Sequence, residues 1–338
     1  MGVIVVAAAV PSQLRRPLPF FIISVYYYSS KPALMASQGS GDIMQFFPNL
    51  SSSVDVNPAE WAKAREQEGW AGVVASDHLW TEDRCFPHLW VSLTAMAMAT
   101  SRLKLSSSFS NNLFRSPVEF AHASLTLQFI SGGRFDAGLG AGWSEEELTR
   151  TGREYPRPGV RLEMYREAMT IARSLFTNGA CQFSGQHYSI DVDNIGPTPK
   201  KRPALVASCG GKKSIRIIAP LADRIEVMAP GRAVRGGALS IAALSEFTEN
   251  DLRELVDRVK CANEKAPIGF FAILAVGDAA TTRALRDPLG NGLFSDFVGE
   301  PAFVADNLRR LEDFGIDRVQ ITSTLPGSFE ALAPLLNG

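Results

Sequence analysis

The sequence predicts an α/β protein, a (β/α)8 TIM barrel. Three observations carry this. Strand-like and helix-like runs alternate from residue 42 to residue 336. Eight of the runs are strand-like, most of them followed by a helix. No GxGxxG motif follows the first strand, where a doubly wound dinucleotide fold requires one. The doubly wound sheet is the alternative architecture.

The elements follow in order. "DIMQFF" (42–47) is the first strand. "NPAEWAKAREQEG" (57–69) is a helix, with Asn57 as its cap, Pro58 at the first helical position and Gly69 beyond its end. "WAGVVASDH" (70–78) is the second strand and "HLWVSLTAMAMATS" (88–101) an apolar helix. "RLKLSSSFS" (102–110) is the third strand, and a proline opens the helix at 117–131. "GRFDAGLG" (133–140) is the fourth strand, with Phe135, Ala137 and Leu139 on one face and Asp136 and Gly138 on the other. After it, "SEEE" (144–147) has the pattern of a capping box, Ser144 as the cap and Glu147 at the third position. Residues 159–176 form an amphipathic helix centred on Val160, Met164, Ile171 and Leu175.

A hairpin insertion around Ser184–Gly185 follows this fourth barrel helix. "RPALVAS" (202–208) and "DRIEVMA" (223–229) are strands five and six. The Gly/Ala/Ser-rich segment 230–248 reads as a mobile loop. Helix 250–265, strand 268–276, helix 301–315, strand 317–323 and helix 328–336 complete the barrel domain, 42–338. Residues 1–41 stand apart as an extension. Their apolar runs are shorter than a membrane span, and Arg15–Arg16 before "PLPFFIISVYYY" lack a good cleavage site. The extension fits a dispensable start, a targeting segment or a packed arm.

Formal net charge is −1, which gives no basic surplus for nucleic acid or anionic lipid. The four cysteines form no CxxC and the four histidines no HExxH. A structural metal is therefore not expected, and a reducing, cytoplasmic setting is the default, with export left open by the extension.

Barrel function sits at the C-terminal ends of the strands. The second strand ends in Asp77, His78 and Trp80, where an ionisable pair beside an aromatic suits proton transfer; a capping Asp and a surface His would look the same. The third ends in "SSSFSNN" (106–112), either small residues that admit a ligand or a bulge with locally satisfied hydroxyls. The fourth ends in Gly140, Ala141, Gly142 and Trp143. Three carboxylates follow, so this turn makes a poor phosphate cradle and a better support for a flat ring; close strand–helix packing also uses glycines. The fifth ends in "SCGGKKS" (208–214), whose glycines, lysines and helix start suit a phosphate. Together these ends fit a long ligand, ring over strands two to four and phosphate at strand five.

These residues resemble the luciferase-like monooxygenase superfamily, and within it the oxidoreductases that use the deazaflavin coenzyme F420. The likeness runs from about Asp42 to Leu336, and "GGRF…GLGAGW", "SDHLW" and "FSGQHY" carry it. The resemblance implies a TIM barrel, a homodimer and a large cofactor, F420 or alternatively FMN. It implies a non-proline cis peptide at Ser108–Phe109, behind the ring. It places Asp77 and His78 at cofactor-contacting and proton-transferring positions, Asn111 at a ring edge, Gly140, Ala141 and Gly142 beside the ring, and Ser208, Cys209, Gly210 and Gly211 beside the phosphate. Trp80, Glu82 and Trp143 would line the substrate pocket. Sugar-phosphate dehydrogenases of the superfamily have glutamate where this chain has Trp143 and tryptophan where it has Glu82, so sugar phosphate is not the expected substrate. The turn after the fourth strand also lacks the arginine with which bacterial luciferase contacts FMN phosphate, which favours F420. The expected reaction is hydride transfer between a deazaflavin and a small organic substrate, with His78 catalytic. The alternatives are an FMNH2- and O2-dependent monooxygenase and a cofactor-binding protein without turnover.

Overall fold

A computed structural model describes residues 44–50, 55–81, 84–228, 233 and 240–337. The expected extension (1–41), Glu82 and most of the 230–248 loop lie outside the described residues.

Eight parallel strands close into a barrel: β1 (Gln45–Leu50), β2 (Gly72–Ala75), β3 (Lys104–Ser107), β4 (Phe135–Gly140), β5 (Ala204–Cys209), β6 (Arg224–Val227), β7 (Ile268–Val276) and β8 (Arg318–Ser323). β1 pairs with β8 and β2, and β4 pairs with β5, so each barrel strand has two neighbours. The first strand begins and ends three residues later than its apolar run. Pro48 has no N–H to donate, yet it lies inside β1 opposite Ile321. Helices α1 (Pro58–Gln67), α2 (Leu89–Ala99), α3 (Pro117–Ile130), α4 (Glu145–Arg150), α5 (Pro158–Asn178), α6 (Lys212–Ile218), α7 (Ile241–Ser245), α8 (Glu249–Ala262), α9 (Ala279–Arg286), α10 (Pro301–Arg309) and α11 (Ser328–Leu336) follow. Part of the expected 230–248 loop is therefore helical: Ser240 caps α7 by accepting from the Ala243 N–H.

Alternation along the strands sorts the side chains. Leu105, Phe135, Ala137, Leu139, Leu205, Ala207, Ile225 and Val319 belong to the apolar core, which packs with helix residues such as Leu93, Phe120 and Leu175. The other face lines the barrel and mixes apolar Phe47, Val74 and Val206 with polar Ser106, Asp136, Glu226, Arg318 and Gln320. Near the N-terminal ends of the strands, Arg318 donates through Nε and Nη2 to Glu226 Oε1 (2.8 and 2.5 Å) and through Nη1 to Asp136 Oδ2 (2.7 Å). Its guanidinium lies 4.8 Å from the Phe47 ring centroid. Burial alone would weaken the Arg318 charge, but Glu226 and Asp136 outweigh it and hold its pKa above the usual value. Gly269 makes this cluster possible, since a Cβ there would stand 2.0 Å from Glu226 Oε2.

The α5 helix is amphipathic. Of the expected face, Ile171 and Leu175 are fully buried, while Val160 and Met164 are only half-buried; Tyr165, Ala168 and Ala172 complete the buried side. The insertion after α5 is the antiparallel hairpin Cys181–Ser184 with Ser189–Val192. Glu167 of α5 latches it, accepting from the backbone N–H groups of Gln186, His187 and Tyr188 at 2.8, 2.9 and 3.1 Å.

Candidate active site

The C-terminal ends of β2, β3, β4 and β5 bring the expected residues into three groups. The first surrounds His78. Its Nδ1 lies 2.8 Å from Glu147 Oε2, and its ring meets Phe86 at 5.1 Å and Trp143 at 5.3 Å between centroids. Glu147 Oε1 accepts from the Leu79 N–H at 2.5 Å, and the Glu147 side chain is fully buried. The expected capping box at α4 is therefore absent. Ser144 sits at the cap position but makes no capping bond, and Glu147 turns away to His78. Exposed Glu145 and Glu146 remain to complement the helix dipole. The hydrogen bond of the His78 ring among the described residues is made through Nδ1, and none is seen at Nε2.

The second group is built on Asp77. Its carboxylate accepts from the backbone N–H of Asn111 at 2.7 Å and from both terminal nitrogens of Arg115. Arg115 also reaches Ser110 Oγ at 2.9 Å. Asp77 is thus a bracket between the ends of β2 and β3, with its charge already paired. Asn111 donates its backbone N–H to Asp77 and accepts from the Leu113 N–H at 2.9 Å, leaving its side-chain nitrogen unpartnered among the described residues. The Ser108–Phe109 peptide is cis. The hydroxyls of Ser107 and Ser108 are satisfied, but by other strands rather than locally. Ser107 Oγ donates to Gly138 O and accepts from Gly138 N–H across the strands, at 2.7 and 2.8 Å, and Ser108 Oγ donates to Gln320 Oε1 inside the barrel. The Ser108 hydroxyl is therefore spent on the protein.

The third group joins β4 to β5. The buried Tyr165 hydroxyl donates to Leu139 O at 2.6 Å and accepts from the Ser208 N–H at 3.0 Å. Burial pushes its phenol well above the usual range, so it stays a donor. Gly140 is buried, and a Cβ on it would stand 3.2 Å from Phe109 Cβ and 3.9 Å from Ser208 Cβ, so the absence of a side chain lets three strand ends pack closely there. Gly142 answers the close-packing alternative: at φ +79° a Cβ would stand 2.6 Å from Asn111 Oδ1. Ala141 packs against the core. The Cys209 side chain is fully buried on the helix-facing side of β5, so only its backbone can face a ligand. Burial pushes its thiol up to about 12. In the turn beyond, Gly211 N–H donates to Ser214 Oγ at 3.2 Å, and a Cβ on Gly211 would meet nothing within 4 Å.

Trp80 lies beneath Arg150 of α4, 5.3 Å from guanidinium to ring centroid, with a buried, unpartnered Nε1. Glu82 is outside the described residues. Sequence reading missed Glu147, Arg115 and Tyr165. The tyrosine had a signal: a phenol on the buried face of a helix needs a polar partner.

Among the described residues no group of three His, Cys, Asp or Glu side chains could hold a metal ion. No described helix is long and apolar enough to cross a membrane. A family model described as luciferase-like monooxygenase matches residues 55–255. The chain belongs to this family. Luciferase-like chains are a group of oxidoreductases, and several relatives carry specific names. An F420-dependent glucose-6-phosphate dehydrogenase of Amycolatopsis mediterranei is 30% identical over 156 residues, 45% of this chain and 47% of its own length. An F420-dependent hydroxymycolic acid dehydrogenase of Mycobacterium tuberculosis is 28% identical over 170 residues, 48% of this chain and 46% of its own length. The chain thus spans about half the length of the curated relatives it matches. Among solved structures, an F420-dependent secondary alcohol dehydrogenase in complex with an F420-acetone adduct superposes with TM-score 0.69 at 18% identity, covering 86% of this chain and 96% of its own. A monooxygenase, RslO1 of Streptomyces bottropensis, superposes with TM-score 0.66 at 17% identity, covering 87% and 96%. These likenesses show the same barrel fold.

Proposed function

We propose that this luciferase-like protein is an F420-dependent oxidoreductase that passes hydride between the deazaflavin and a small, rather apolar organic substrate. The observation that carries the reading is His78. It stands at the end of β2, tethered through Nδ1 and walled by Phe86 and Trp143, with no hydrogen bond seen at Nε2 among the described residues. That is the arrangement of a general acid/base beside a partly apolar chamber.

The residues present fit a large ring cofactor. Gly140 lets the ends of the third, fourth and fifth strands pack closely, which would gather their backbones into one support for a flat ring, and the open side of Gly211 leaves room for a chain leading away. The backbone of Ser208, Cys209 and Gly210 would hold the phosphate side, near the exposed Lys212 and Lys213. Asn111 would reach the ring edge, and Trp143 with Trp80 would wall the substrate. When bound, F420 supplies a ring carbon that gives or takes a hydride. The names of relatives such as the Amycolatopsis and Mycobacterium dehydrogenases support the same cofactor. We further propose a homodimer. The neighbouring helices α2 and α3 carry exposed Val91, Met98 and Phe129, apolar area that a second copy would cover.

Parallel ultraviolet–visible titrations with F420 and FMN test the reading. F420 should bind more tightly at equal salt, and turnover should be as fast under nitrogen as in air. Equal or tighter FMN binding, or turnover that stops without oxygen, overturns it in favour of an FMNH2-dependent monooxygenase.

A further inference from the structure

Glu147 could have closed a capping box and does not. A fully buried carboxylate is costly unless its charge is met by donors. Glu147 has two: the Leu79 N–H at 2.5 Å and His78 Nδ1 at 2.8 Å. An ionised carboxylate only accepts, so the proton on that contact belongs to the histidine. A neutral imidazole carries one N–H. With it placed on Nδ1, Nε2 is left as a lone pair. Phe86 and Trp143 flank the ring. Both ends of the Glu147 contact, at His78 and Leu79, belong to one loop, so tautomer and ring direction are set together.

We infer that Glu147 is a positioning residue that fixes His78 as the Nδ1–H tautomer and leaves Nε2 as the atom that exchanges a proton with substrate. The inference rests on the reading of His78 as the acid/base. The balance is simple. In the oxidative direction Nε2 would take the proton of a substrate O–H or N–H, and F420, when held at the strand ends, would supply the acceptor for the hydride of the adjacent C–H. In reverse, the imidazolium, paired with Glu147, returns the proton.

The first test needs no variant and no cofactor. Nitrogen-15 NMR of the ligand-free protein should show neutral His78 protonated on Nδ1. Protonation on Nε2 overturns the inference. The second test is Glu147→Gln. Its amide oxygen can still accept from Leu79 N–H while its NH2 faces His78 Nδ1, so the resonance should move to the Nε2–H form. With cofactor and substrate, kcat should fall by about 10²-fold, while KM and the F420 dissociation constant stay within about threefold and the melting temperature shows a folded protein. In a His78→Ala background, Glu147→Gln should cost no further turnover, because the two act as one unit. A full additional loss in that background assigns Glu147 a role independent of His78 and overturns the inference. Unchanged turnover in His78→Ala alone overturns the reading of His78 instead, and the tautomer measurement still decides whether Glu147 holds the ring.

Discussion

The Tyr165 hydroxyl lies 3.0 Å from the backbone nitrogen of Ser208 and 2.6 Å from the carbonyl oxygen of Leu139. One phenol on α5 therefore ties the end of β4 to the end of β5, the two ends that meet near Gly140. Tyr165→Phe removes only an oxygen, but it strands a donor and an acceptor in a buried place. The expected loss is about 1–3 kcal/mol of unfolding free energy, with weaker F420 binding. Urea unfolding and a binding titration check both. Unchanged stability would mean that the strand ends hold themselves.

His78→Ala should lower turnover by about 10²-fold or more while F420 affinity is nearly kept, as for loss of a general acid/base. Steady-state kinetics and a cofactor titration on the same preparation make the comparison. A loss of cofactor binding equal to the loss of turnover would make His78 a wall of the site only.

Cys209 stands in the expected phosphate turn, yet its thiol is buried and pushed up to about 12 by that burial. At pH 8 it should resist iodoacetamide, while exposed Cys85 and Cys261 are labelled. Peptide mass spectrometry before and after denaturation reads this out. Labelling of Cys209 in the folded protein would place its side chain towards ligand.

Asp223, just ahead of β6, accepts two bonds from Arg202 at 2.6 and 2.9 Å and one from the Leu205 N–H at 2.9 Å. Burial pushes its carboxyl up, but Arg202 and the Leu205 N–H outweigh it, and the folded pKa lies below the usual Asp value. A depressed acid stabilises the fold above its unfolded pKa, about 3.9. That contribution is lost as pH falls through the lower folded value. Asp223→Asn should therefore be less stable than wild type by a constant amount at neutral pH, with the gap narrowing only below about pH 4. A gap that widens on acidification would reverse the sign of the coupling.

Local features were legible in the chain. Asn57 before Pro58 gives a capped helix start, and the Ser184–Gly185 pair gives a hairpin, because neighbours in sequence decide both. The β7 run at 268–276 is readable from its length alone. Glu147 was not legible, because a cap and a site acid share one pattern; what distinguishes them is His78, 69 residues away along the chain. Arg318 hides for the same reason. An arginine opening "RVQITS" resembles any strand-end arginine until Glu226 and Asp136 arrive from other strands. Ser108 shows the reverse case. Its place at the end of β3 was read correctly, while the direction of its hydroxyl depended on Gln320 across the barrel.

The ion pairs of Arg318 with Glu226 and Asp136 also have a consequence for traffic. They stopper the barrel from below, and opening that end would leave charges uncompensated in the interior. A ligand that binds at the C-terminal ends of the strands would therefore have to come and go at that same end, because the opposite end is held shut by charges that pair with one another.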